Sequence, residues 1–90
     1  MSGARPDTDA LFPCTFPVKV MGPAVPEFGQ RVREVVRRHV PEVEESDFSS
    51  RASRGGRYSA ITVIVQAQSR EHMDALYREL SACELVTLTL

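Results

Sequence analysis

The sequence predicts an α+β domain in which two helices back one face of a single four-stranded antiparallel sheet. Three observations carry that expectation. Residues 57–67, RYSAITVIVQA, form the longest unbroken β-prone run in the chain, so apolar that the strand belongs inside a sheet. Two stretches carry apolar residues at helical spacing. Three more alternate as half-buried strands do, in the order β-α-β-β-α-β.

Taken in order, residues 1–11 are small, polar and broken by Pro6, and read as a disordered tail. Leu11, Phe12 and Pro13 lead into the domain, residues 12–90. In CTFPVKVM, Phe16, Val18 and Val20 share the face expected to be buried, opposite Pro17, Lys19 and Met21. Gly22, Pro23, Ala24 and Val25 are read as the break between strand and helix. Pro26 and Glu27 suit a first helical turn. Phe28, Val32, Val35, Val36 and Val40 then make one stripe, which Pro41 ends.

Acidic residues 42–47 precede a weak, serine-rich alternation at Phe48, Ser50 and Ala52, which suits a sheet edge. Gly55-Gly56 marks a hairpin turn. In the long run, Ile61, Val63, Val65 and Ala67 should meet the helices. Tyr58, Ala60, Thr62, Ile64 and Gln66 should face away. Ser69 is a suitable N-cap, and Met73, Leu76, Tyr77 and Leu80 form the second stripe. ELVTLTL closes the chain with Val86, Leu88 and Leu90 opposite Leu85, Thr87 and Thr89.

Right-handed crossovers and one hairpin reduce this order to few folds. The favoured one is the ferredoxin-like βαββαβ two-layer sandwich, sheet order 4-1-3-2, with both helices on one face. The most apolar strand is then inner and the serine-rich one outer.

Composition narrows the class further. A chain of 90 residues makes one small domain with a modest core. Eleven Lys+Arg against twelve Asp+Glu, a formal charge of −1, removes the general electrostatic case for nucleic acid. Cys14 and Cys83 lie far apart without CxxC spacing, which fits a reducing compartment rather than a disulfide framework. The N-terminal residues lack an apolar signal-peptide core, and no apolar run approaches the roughly 18 residues of a membrane span. A cytoplasmic protein without membrane association is expected.

FPCTFPVKVMG at 12–22, SRGGRYSAITVIVQAQS at 53–69 and the LYREL…LVTLTL ending resemble the YbeD-like family of small bacterial proteins of uncharacterised function. The resemblance implies the ferredoxin-like fold and a likeness to ACT-type regulatory domains. It implies no catalytic residues; a link to lipoate metabolism has been suggested for the family.

Each common function of such a fold has its own residue requirements. RNA recognition needs two or three aromatics on the open sheet face. Only Tyr58 qualifies, although Arg51, Arg54, Arg57 and the helix 1 arginines are available to phosphate. Cu(I) chaperones need paired thiolates after strand 1, and this loop has no cysteine. Antiparallel pairing places Cys14 and Cys83 near opposite ends, so neither a shared metal nor a disulfide is expected. Acylphosphatases use an Arg in that loop and an Asn elsewhere; the loop lacks the first and the chain has no Asn. His39 and His72 read as structural residues near helix ends. No enzyme, cofactor or metal site is expected.

Two sites remain. ACT-type domains bind amino-acid-like ligands at a glycine-containing loop, and Gly22, Pro23, Ala24 and Val25 occupy the equivalent place, leading to a helix N-terminus. The chain reads Met-Gly-Pro where ACT domains commonly have Asp before Pro-Gly, and a plain turn explains the same residues. The open sheet face is the stronger candidate. Lys19, Met21, Tyr58, Thr62, Ile64, Leu85 and Thr87, with Arg51, Ala60 and Thr89, should project there, more apolar than a solvated face requires. The expected function is a non-enzymatic regulatory or protein-interaction module. An unidentified partner or second copy would use that face or an edge strand. The alternatives are an ACT-like sensor of a small carboxylate metabolite and, third, RNA binding.

Overall fold

The computed structural model describes residues 14–89; the expected tail and Leu90 lie outside them. The elements are β1 (Cys14–Pro23), α1 (Pro26–His39), β2 (Phe48–Ala52), β3 (Tyr58–Ala67), α2 (Arg70–Ala82) and β4 (Leu88–Thr89). All pairings are antiparallel and the sheet order is β2-β3-β1-β4. This is the ferredoxin-like arrangement that the residue pattern predicts, with both helices on one face.

The core lies where the parities converge. Val18 and Val20 from β1 and Ile61, Val63, Val65 and Ala67 from β3 are buried against Phe28, Val32, Val35 and Val36 of α1 and Met73, Leu76 and Leu80 of α2. Burying a side chain of this kind is worth about 1.5–3 kcal/mol relative to leaving it exposed. Both long strands therefore gain most of their stability on one face. No side-chain polar atom is left buried and unpaired among the described residues, so the core carries no desolvation penalty of that kind.

Helix ends follow their local chemistry. Pro26 starts α1 directly after Val25, with Glu27 in the first turn and Arg37, Arg38 and His39 in the last. In α2 the Ser69 Oγ accepts from the His72 amide at 3.1 Å, the side-chain cap expected from sequence.

Four features depart from the expectations. First, β1 runs on through Gly22 and Pro23, which pair with Ser59 and Tyr58 rather than forming an open loop. Second, a single 3₁₀ turn, Glu45–Asp47, precedes β2, with Glu44 and Asp47 closing a reciprocal capping box.

Third, β4 has only two residues, and its faces are reversed. Leu88 pairs with Met21 and Thr89 with Val20, so Leu88 joins the open face and Thr89 the helix face. Ser81 on α2 hydrogen-bonds Thr89 there, Oγ to Oγ1 at 3.1 Å. The cause is the turn after α2, closed by the Val86 amide donating to the Cys83 carbonyl at 3.1 Å. Leu85 and Val86 both pack against the core from this turn. The strand therefore starts one residue out of step, and a one-residue slip exchanges the faces. Leu85, Thr87 and Thr89 do not form the open-face set.

Fourth, Phe16 keeps the helix-side parity of Val18 and Val20 yet is 39% exposed. β4 pairs only with Val20 and Met21, so among the described residues no strand pairs with the first half of β1 on that side, beside Phe16.

Candidate functional site

The open sheet face is built in transverse rows, because directly paired residues of an antiparallel sheet project on the same side. Pro17 and Ile64 make one row, and Lys19, Thr62 and Ser49 the next. Leu88, Met21, Ala60 and Arg51 form a four-strand row, followed by Pro23 and Tyr58. Of the predicted face residues, Lys19, Met21, Tyr58, Thr62 and Ile64 are thus brought together. Leu85 is half-buried against the core and Thr87 lies in the connection before β4, its amide donating to the Met21 carbonyl at 2.8 Å. Leu88 is the residue that sequence reasoning missed, since alternation in LVTLTL is compatible with either register.

Two properties distinguish this face. Tyr58 is 49%, Leu88 47% and Ile64 40% exposed, at separate points across the sheet. In addition, no strand among the described residues contains an Asp or Glu, so the formal charges projecting from these rows are those of Lys19 and Arg51.

The strand-to-helix segment has different geometry. Gly22 is buried, and a Cβ placed on it would meet Phe28 Cε1 at 2.5 Å and the Leu85 carbonyl oxygen. Its hydrogen side is therefore filled by the protein itself. Pro23 is paired within the sheet, while Ala24 and Val25 are exposed. The Ala24 amide donates to the Arg57 carbonyl at 3.0 Å and the Val25 amide to the Pro23 carbonyl at 2.8 Å. Both donors that could approach a ligand backbone-first are thus already used.

A cavity of about 340 Å³ lies alongside, lined in part by Ala24, Val25, Gly29, Arg33 and Ser50. Arg33 is not free to hold an anion there. Its Nε and Nη2 donate to the Glu45 carboxylate at 3.0 and 2.6 Å, and its Nη1 to the Gly29 carbonyl at 3.3 Å. The guanidinium carbon of Arg33 also lies 4.9 Å from the centroid of the Phe48 ring. Hydrogen bonding to Arg33 holds the Glu45 carboxyl below its ordinary value, and the same bond raises Arg33.

The two histidines and Arg38 serve the helix interface, while Arg37 joins Arg33 on Glu45. Glu79 on α2 accepts from Arg38 Nη1 at 2.6 Å and from His39 Nε2 at 2.7 Å. His72 Nε2–H donates to the His39 carbonyl at 2.6 Å, while its Nδ1 accepts from the Gln68 amide at 3.1 Å. Those two bonds define the Nε2–H tautomer and tie the start of α2 to the end of α1. Cys14 and Cys83 are both free. Among the described residues, no group of three or more His, Cys, Asp or Glu is arranged to hold a metal ion, and no helix is long and apolar enough to cross a membrane.

Residues 7–90 match the protein family described as "Protein of unknown function (DUF493)". The chain belongs to the DUF493 family. Its relatives include a UPF0250 protein of Neisseria gonorrhoeae, 46% identical over 79 residues that cover 88% of this chain and 87% of the relative. A UPF0250 protein of Paraburkholderia phytofirmans is 44% identical, covering 88% and 89%. The solution structure of the H. pylori protein HP0495 superposes with a TM-score of 0.66 at 13% identity, covering 88% of this chain and 82% of that one. At that identity the likeness speaks for the fold alone. The DUF493 match thus reaches across every strand and helix described above and brings no assigned chemistry with it.

Proposed function

We propose that this DUF493 protein is a non-catalytic, cytoplasmic interaction module that docks a partner protein on its open sheet face. One observation carries the reading: Tyr58, Ile64 and Leu88 stand exposed on a sheet face that neither helix covers. An uncovered sheet face that carries three exposed large apolar side chains offers a partner apolar surface to bury. The finer resemblance to YbeD-like proteins and ACT-type regulatory domains accords with a regulatory role. A carboxylate sensor at residues 22–25 is the weaker reading, because the backbone donors there are paired internally.

The test is capture from native lysate with the wild-type chain and with an Ile64→Ser/Leu88→Ser double variant. Specific retention of a partner by the wild type, lost in a variant whose thermal midpoint is unchanged, is the expected result. Equal retention by both proteins would refute docking on this face.

A further inference from the structure

We propose that the open face also contains a site for the phosphate group of a small phosphorylated molecule, formed by Lys19, Ser49, Arg51 and Thr62. The four side chains line one cavity of about 310 Å³ with Ser50 and Ala60. That volume is at the lower end of the roughly 300–1,000 Å³ typical of small-molecule sites. It is larger than a bare phosphate needs, so the ligand has a body as well as an anionic head.

The sheet register brings these groups together. Lys19 and Ser49 flank Thr62 in one row, and Arg51 lies on the same face one row further along β2. Strand spacing separates the Lys19 and Ser49 backbones by about 10 Å, within reach of a Lys and an Arg side chain converging on one anion. The donor set suits a tetrahedral dianion: a planar guanidinium fork, a mobile ammonium and two hydroxyls.

Charge availability separates this cavity from the paired arginines of α1. Arg33, Arg37 and Arg38 are held by Glu45 or Glu79. Lys19 and Arg51 make no ion pair among the described residues, and no strand supplies an acid to neutralise them. An entering phosphate therefore displaces no internal partner. This inference does not depend on protein docking; it stands or falls on the cavity.

The experiment is an amide NMR titration of the full chain with sodium pyrophosphate, against sodium chloride matched in ionic strength. Saturable shifts centred on Lys19, Ser49, Arg51 and Thr62 are expected. Arg51→Gln should weaken the response about tenfold or more, as removal of a charge-assisted hydrogen bond does. Arg54→Gln, in the hairpin outside the cavity, should leave it within about twofold, because distant exposed charges are largely screened. Non-saturating shifts spread over Arg54, Arg57 and the α1 arginines, or an Arg51→Gln variant that binds as the wild type does, would mean an adventitious ion only and overturn the proposal.

Discussion

Gly22 is a glycine for lack of space. Its backbone is not in the left-handed region; among the described residues only Gly56, in the hairpin, has positive φ, at 73°. The constraint comes from the Phe28 ring and the Leu85 carbonyl oxygen, which close over the position a Cβ would take. Gly22→Ala should therefore destabilise the domain by about 1–3 kcal/mol, the usual cost of forcing a methyl group into a filled core. Urea denaturation measures this directly, and an unchanged midpoint would mean that Phe28 swings aside freely. Sequence could say that a glycine stands between β1 and α1, and a turn was the natural reading. It could not say that a carbonyl from residue 85 arrives there, because that approach is made by chain 63 positions away.

At the scale of the element, β4 shows the limit of periodicity. An alternating LVTLTL specifies a strand yet leaves its facing to its surroundings. The turn at 83–86 uses both Leu85 and Val86 to cover the core, and the strand proper then begins with Leu88 outward. Hydrogen exchange separates the two arrangements. The Thr87 amide, bonded to Met21, should be protected, whereas the Leu85 amide should exchange quickly. Protection at both would indicate a strand reaching back through residue 85. The other elements were legible because each carried a redundant signal: α1 its five-residue stripe between two prolines, α2 its stripe behind Ser69, and β3 a wholly apolar inner face.

Across the whole molecule, the acidic segment between α1 and β2 acts as a strap. Its Glu45 carboxylate receives both Arg33 and Arg37, and Arg33 in turn lies over the Phe48 ring of the edge strand. Because the folded state lowers the Glu45 pKa from its ordinary 4.5, the stabilisation is present above that value and is lost as pH falls through the folded one. Thermal scans below about pH 4.5 should show the wild type losing part of its advantage over Glu45→Gln, and a pH-independent difference would contradict the strap. Tyr77 acts at the other extreme. Burial raises its pKa above 10.0, so stability present below that pH should decline as pH rises through the folded value.

The sequence by itself determined the fold, because apolar spacing is a local property that survives in any tertiary setting. The order of six elements, the inner and outer strands and the exposure of Tyr58 and Ile64 all follow from parity and stripe alone. Tertiary structure decided what depends on segments meeting at a distance. It enclosed Gly22, reversed Leu88 and Thr89 and left Phe16 beyond the reach of β4. It also paired Arg33, Arg37 and Arg38 with acids while leaving Lys19 and Arg51 unpaired on the open sheet. Charges and carbonyls have no period in the sequence, so their partners exist only once the chain is folded.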